Sequence, residues 1–122
     1  MKGAILYTWG VAVRGREKQS LEVFAQAMAH TDAQIKKGAY ESSAVFFVNS
    51  GDSSELAGIQ LITGDIEKLR TARSEEATLM LELLAGQIVE HFSVLELLGG
   101  DDETMEKLIS MVVATHAELG LA

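Results

Sequence analysis

The stretch from Gly38 to Thr63, GAYESSAVFFVNSGDSSELAGIQLIT, predicts a β-hairpin around which the rest of the chain is organised. Its first strand is expected from about Ala39 to Asn49, and its second from about Leu56 to Thr63. The residues between them, 50–54, are small or polar and include a glycine, which is typical of a turn. The hairpin therefore predicts two neighbouring antiparallel strands in the middle of the chain.

Hydrophobic patterns predict a strand and a helix before the hairpin, and a helix, a strand and a further helix after it. The expected bounds are about Gly3–Val13, Arg16 or Glu17–Lys37, Asp65–Ala85, Gln87–Leu97, and Asp102 or Glu103–Leu119. Asp65 is the expected N-cap of the second helix. Ser74 is followed by two glutamates and resembles another cap, so this helix is expected to consist of two segments.

This order of elements, β-α-β-β-α-β with an extra C-terminal helix, predicts an α+β, ferredoxin-like fold. Because β-α-β crossovers are right-handed, the two core helices should cover one face of the sheet. We expect the uncovered face to carry large apolar side chains such as Trp9, Phe47 and Phe92. A broad apolar face of this kind favours a homodimer formed through the open face of the sheet. The stripe of apolar residues on the last helix is expected to pack on its own domain or across the dimer.

Composition sets further limits on function. The sequence has 122 residues and predicts one domain, with a ferredoxin-like core at about 3–98 and a C-terminal helix at about 102–119. Its formal net charge of -8 would repel phosphate backbones, which argues against a nucleic-acid partner. There is no cysteine, and the three histidines are not spaced as metal ligands, so no metal site is expected.

Membrane association is not expected either. No apolar run reaches the roughly 20 residues that a membrane-spanning helix needs. The apolar N-terminal segment is interpreted as a buried strand in preference to a signal peptide, since it lacks a clear cleavage site and a charged helix follows it. A chain without cysteine, signal peptide or membrane span is expected to be cytoplasmic.

Four features resemble the dimeric α+β barrel superfamily, and small bacterial members without an assigned activity in particular. They are the element order, the segment GDIEKLR at 64–70 with RSEE at 73–76, the Trp9-Gly10 end of the first strand, and RGRE at 14–17. The resemblance covers about residues 3–98. The superfamily includes cofactor-free monooxygenases, lactone isomerases, haem-handling proteins and regulators. The resemblance implies a homodimer whose sheets face each other, with a small-molecule cavity inside each subunit.

Two neighbouring residues of the fourth predicted strand are the candidate catalytic groups. Glu90 lies in an otherwise apolar segment, where a buried carboxylate must be paired, hydrated or functional. His91 becomes the best general base if the strand is shifted by one residue, since adjacent residues point to opposite faces. With Glu90 facing the cavity, His91 is interpreted as a structural histidine that points away from it.

The candidate ligand-binding residues are Tyr7, Trp9, Gln60, Phe92 and Arg73. Tyr7 and Trp9 are two residues apart and share a strand face, where they either pack in the core or interface, or form a cavity wall. Gln60 is a polar residue inside an apolar strand. Arg73 either pairs with Glu76 or Glu41 or holds a ligand carboxylate at the cavity rim. These side chains are expected on the face that the helices leave open.

Two classes of function remain open at the level of sequence. The first is an enzyme without a bound cofactor that acts on a small, mainly apolar molecule by proton abstraction or oxygen insertion. The second is a non-catalytic binding, sensing or assembly protein whose cavity is filled by side chains or holds a ligand. A cavity that contains a carboxylate or an imidazole with a shifted pKa would favour the enzyme.

Overall fold

A computed structural model describes residues 1–52 and 55–120 of the chain. Part of the predicted hairpin turn, Ser53 and Ser54, lies outside the described residues. The elements in chain order are β1 Lys2–Trp9, α1 Glu17–Lys36, β2 Ser42–Phe47, β3 Gly58–Asp65, α2 Ile66–Ser74, α3 Glu76–Ile88, β4 Ser93–Leu98 and α4 Asp102–Glu118. No helix in these ranges is long and apolar enough to cross a membrane.

The four strands form one antiparallel sheet in the order β2-β3-β1-β4. This order confirms the predicted ferredoxin-like fold, including the hairpin of β2 and β3. The predicted division of the second helix is also confirmed, because α2 ends at Ser74 and α3 begins at Glu76. Asp65 caps α2, where its side chain accepts a hydrogen bond from the Lys68 backbone N–H at 3.1 Å.

The helices α1, α2 and α3 lie on one face of the sheet, as predicted for the core helices. α2 packs directly on β1 and β3, whereas α1 packs mainly against α3. The fully buried side chains Ile5, Ile62 and Leu69 form the centre of the core between α2 and the sheet. The α1–α3 pair lies beyond this packed region and leaves a cavity beneath it.

The phase predicted for the sheet faces is wrong. Tyr7, which pairs with Gln60 across β1 and β3, points with it toward the helices. The open face carries aliphatic side chains that we expected under the helices; they include Leu6, Ile59, Leu61 and Leu95. β1 is apolar on both faces, so its alternation does not mark which face the helices cover.

The three aromatic residues expected on the open face are also displaced to the helix side. Trp9 lies between Phe24 of α1 and Phe47 of β2. Phe92 precedes β4 and stacks on Tyr7, with ring centroids 5.9 Å apart. The open face nevertheless remains apolar, since Phe46, Leu95 and Leu97 are exposed on it.

The segment predicted as the strand Gln87–Leu97 is divided between three structures. Its first residues complete α3, which ends at Ile88, and β4 begins only at Ser93. Between them, Glu90 forms backbone hydrogen bonds with Gly10 and Val11. Because Val, Ile, Leu and Phe occur throughout this segment, its composition did not separate the helix end from the strand start.

α4 makes little contact with the rest of its own chain. Asp101 caps it by accepting a hydrogen bond from the Thr104 backbone N–H at 2.8 Å, and the Thr104 hydroxyl accepts one from the Lys2 N–H at 3.1 Å. Beyond this first turn, Ile109 and Val112 are exposed by 59% and 54%. The expectation that α4 packs on its own domain is therefore met only at its N-terminal end.

Candidate functional site

A cavity of about 450 Å³ lies between the sheet and the α1–α3 pair. Its wall is mainly apolar, and includes Phe24 and Met28 of α1, Leu81 and Ala85 of α3, and Ile62 of β3. The volume is within the roughly 300–1,000 Å³ range of small-molecule sites. The loose packing of α1 on the sheet thus creates space for a ligand instead of a solid core.

Three aromatic rings stand at one side of the cavity. The Trp9 ring centroid is 6.3 Å from that of Phe24 and 6.3 Å from that of Phe47, and the latter two rings are 5.7 Å apart. Gly58 lies opposite Trp9 in the register. A Cβ atom at this position would come within 2.6 Å of the indole, so a larger residue would collide with the ring. The glycine therefore allows the indole to lie against β3 and leaves an aromatic wall suited to a flat molecule.

A charged pair and a phenol meet at another part of the cavity. Glu82 of α3 accepts hydrogen bonds from Arg73 Nε at 3.0 Å, Arg73 Nη2 at 2.7 Å and the Tyr7 hydroxyl at 2.7 Å. Burial is the largest cause that raises the pKa of Tyr7 far above its usual value, and the hydrogen bond to the Glu82 carboxylate is the next. The hydrogen bonds to Glu82 likewise raise the pKa of Arg73. The group is thus a neutralised pair with a protonated phenol.

A second polar group surrounds His30 of α1. Its Nε2 atom lies 2.8 Å from the Thr78 hydroxyl and 3.3 Å from the Gln34 amide nitrogen, and that nitrogen is also 3.3 Å from Glu75. The other ring nitrogen, Nδ1, has no hydrogen-bond partner within residues 1–52 and 55–120. His30 lines the cavity. With Nε2–H donating to the Thr78 hydroxyl, Nδ1 keeps the lone pair, whereas with Nε2 accepting from the Gln34 amide, Nδ1 carries the proton.

Tyr40 lies beside this group and is almost fully buried. Burial raises the pKa of Tyr40 to about 12, although a hydrogen bond with Thr78 acts in the opposite direction. Both phenols of the cavity, Tyr7 and Tyr40, therefore remain protonated near neutral pH. They are hydrogen-bonding groups and poor proton acceptors.

Of the residues selected from sequence, Tyr7, Trp9, Gln60 and Phe92 line this cavity. The prediction brought them together but placed them on the wrong face of the sheet. Arg73 lies behind Glu82, and its partner is that residue instead of the predicted Glu76 or Glu41.

The two candidate catalytic residues are not part of the cavity wall. Glu90 is exposed and lies outside the strands, so its interpretation as a buried strand carboxylate is wrong. His91 is also exposed and has a positive φ of 54°, in the turn before β4. Both were misplaced because the fourth strand begins three residues later than Glu90, at Ser93.

The polar residues of the cavity that were not selected as sites from sequence include His30, Thr31, Thr78 and Glu82. Glu82 had a usable signal, since it is the one charged residue in the apolar run TLMLELLA at 78–85. Thr78 lies four residues before it, on the same side of a helix. Within the described part of the chain, no group of three or more His, Asp or Glu residues could hold a metal ion.

Several solved structures share this architecture at low sequence identity. SnoaB from Streptomyces nogalater, described as a cofactor-independent oxygenase, matches with a TM-score of 0.58 and 12% identity over 82% of this chain and 94% of that one. The chain has an α+β, ferredoxin-like fold, which this structure shares. The predicted resemblance is thereby confirmed at the level of fold.

Two further structures share this fold. A dimeric ferredoxin-like protein of unknown function from Bacteroides fragilis matches with a TM-score of 0.57 and 7% identity, over 78% of this chain and 93% of that one. A protein from Bacillus halodurans described as an ethyl tert-butyl ether d (EthD) family protein matches with a TM-score of 0.57 and 12% identity, over 83% of this chain and 99% of that one. No protein-family model matches the sequence, and no curated protein does.

Proposed function

We propose that the protein binds a small, mainly apolar molecule in the cavity between its sheet and the α1–α3 pair. The observation that supports this function is the cavity of about 450 Å³, with an aromatic wall at Trp9 and a few polar groups in an otherwise apolar lining. Sites for small molecules combine an apolar lining with a few orienting polar groups in this way. The fold neighbour SnoaB is described as an oxygenase that needs no cofactor, which fits a ligand held by protein groups alone.

Filling the cavity tests this function. Ala27 of α1 lines the cavity, and we expect Ala27→Phe to reduce the affinity for naphthalene-sized probes by about tenfold, because the new ring occupies their space. Calorimetric titration with β-naphthol and with β-tetralone measures the affinity. Ala33→Phe is the matched control, since Ala33 is exposed on the same helix. Unchanged binding in Ala27→Phe, or no binding by the wild type, would contradict the proposal.

We also propose that the bound molecule undergoes proton transfer, with His30 as the base. His30 lines the cavity, and its Nδ1 atom has no protein partner in residues 1–52 and 55–120. As the base, the neutral ring takes the tautomer in which Nε2–H donates to the Thr78 hydroxyl and Nδ1 keeps its lone pair. Imidazole is the side chain most often used for proton transfer near neutral pH. Glu82 is a weaker candidate, because two nitrogens of Arg73 and the Tyr7 hydroxyl already donate to it.

Hydrogen–deuterium exchange tests the proposed base. The wild type is expected to accelerate exchange of the acidic C–H protons of β-tetralone in deuterated water, followed by proton NMR. His30→Gln should abolish most of the acceleration and keep the binding, whereas His116→Gln, at an exposed histidine of α4, should retain it. If β-tetralone binds to the wild type without faster exchange, the non-catalytic alternative is favoured.

We further propose that the protein is a homodimer formed through the open face of the sheet. Phe46, Leu95 and Leu97 are exposed there, and monomeric proteins rarely present a broad apolar face to water. α4 adds a second unpartnered apolar surface at Ile109 and Val112. A helix of this length without packing is only marginally stable, so we place α4 in the same interface. A fold neighbour from Bacteroides fragilis is described as dimeric.

A further inference from the structure

Gln60 is the buried polar side chain in the sheet wall of the cavity. It lies on β3 opposite Tyr7, is 5% exposed, and lines the cavity. Its amide nitrogen donates to the Thr31 hydroxyl at 3.0 Å and to the Ser43 hydroxyl at 3.1 Å. Both N–H groups of the amide therefore have partners.

The neighbouring hydroxyl group fixes the direction of this amide. Thr31 donates its own proton to the Ala27 carbonyl at 2.8 Å, so toward Gln60 its oxygen can only accept. The reverse orientation of the amide would place two acceptors against each other. The nitrogen of Gln60 must consequently face Thr31, and the amide oxygen faces elsewhere.

That oxygen accepts no hydrogen bond from residues 1–52 or 55–120. Among the described residues, Gln34 Oε1 is the enclosed side-chain polar atom without a partner, so the Gln60 oxygen is instead reachable from the cavity that the residue lines. An accessible acceptor of this kind is satisfied by water or by a ligand. Because the donors of the amide are held in place, the oxygen is preorganised toward a donor that enters the cavity. A ligand hydroxyl or N–H group would satisfy it without any rotation of the side chain.

The charges around the cavity indicate that this ligand is neutral. Glu82 is already compensated by Arg73 and by the Tyr7 hydroxyl, so it offers little attraction to a cation. Arg73 is committed to the same carboxylate and lies behind it, so it is not free to receive an anion. Desolvation of an unpaired ionic ligand in an apolar cavity would be costly.

From these observations we propose that the ligand is a neutral, mainly apolar molecule whose polar end is a hydroxyl or N–H group that donates to the amide oxygen of Gln60. This inference rests on the proposed function, since it names the ligand class for the same cavity. It makes Gln60 a residue that determines specificity, in contrast to the aromatic wall, which contributes apolar contact to any flat molecule.

A matched set of two-ring probes tests the inference. β-Naphthol, its methyl ether and β-naphthoate share one ring system, and only the first is a neutral hydrogen-bond donor at pH 7. Calorimetric titration of the wild type should show β-naphthol binding about tenfold more tightly than the methyl ether, the effect of one neutral hydrogen bond. β-Naphthoate should bind most weakly of the three.

Gln60→Met keeps the length of the side chain and removes the acceptor. We expect it to eliminate the preference for β-naphthol over the ether, mainly by weakening β-naphthol binding. The ratio of the two affinities within one variant is unaffected by a general loss of stability. Ser43→Ala, which removes one partner of the amide but keeps its oxygen, should retain the preference, and Ile59→Met on the open face serves as the neutral control.

The outcomes separate the two proposals. If the wild type binds neither β-naphthol nor its ether, the proposed binding function fails and the inference fails with it. If the wild type binds both with equal affinity, or if Gln60→Met keeps the preference, binding in the cavity stands and the role of Gln60 is overturned. The inference is supported if Gln60→Met loses the preference for β-naphthol over its methyl ether while Ser43→Ala and Ile59→Met keep it.

Discussion

Leu95→Lys is expected to convert the protein from a dimer into a folded monomer. Leu95 is 48% exposed on the open face of the sheet, so an isolated subunit can accommodate lysine there. In the proposed interface, the same ammonium group would be buried without a partner, which costs several kcal/mol. The dissociation constant of the dimer should therefore rise by at least about 100-fold. Sedimentation equilibrium at micromolar concentration measures this change directly.

A second leucine distinguishes this interface from general surface effects. Leu83 of α3 is 64% exposed, but it lies in the helix layer on the other side of the sheet. Leu83→Lys should leave the dimer intact, with circular dichroism confirming that both variants are folded. A monomeric wild type, or a Leu95→Lys dimer of wild-type affinity, would show that the open face is not the interface.

Arg73→Met is expected to lower the free energy of unfolding by about 2 kcal/mol. The substitution leaves the Glu82 carboxylate, whose side chain is 15% exposed, with the Tyr7 hydroxyl as its one hydrogen-bond partner among residues 1–52 and 55–120. Breaking a fully buried ion pair costs about 3–5 kcal/mol, and the 30% exposure of the Arg73 side chain reduces this penalty. Urea unfolding measures the loss as a lower midpoint at constant slope.

Arg70→Met is the matched control on the same helix. Arg70 pairs with Glu67 and Glu96 at the surface, and exposed ion pairs contribute little to stability, so the urea midpoint should hardly change. Combining Arg73→Met with Glu82→Leu removes both charges and should recover part of the stability lost in Arg73→Met. If Arg73→Met and Arg70→Met behave alike, the cavity pair does not stabilise the fold in the way described.

The candidate site was predictable only in part. Tyr7, Trp9 and Gln60 were identified because strand residues two apart share a face, and because a polar residue in an apolar strand stands out. The Glu82–Arg73–Tyr7 group was not identified, since its members come from three different elements. The turn between α2 and α3 brings Glu82 within 2.7 Å of Arg73 Nη2, and no local pattern encodes that distance.

Glu90 and His91 show that the prediction of site residues depends on where α3 ends. Their candidacy depended on a strand running through Gln87–Leu97. α3 instead continues to Ile88, which lines the cavity, and β4 starts at Ser93. The residues between are in the turn, where alternation between faces no longer applies.

The sequence by itself determined the order of elements, the hairpin and the helix N-cap at Asp65, because these depend on neighbours within a few residues. Only the tertiary structure decided which face of the sheet the helices cover. β1 is apolar on both faces, so either phase buries hydrophobic surface, and the choice depends on what the rest of the chain packs against it. Packing placed Ile5, Tyr7 and Trp9 beneath the helices and left Leu6 with Leu95 on the open face.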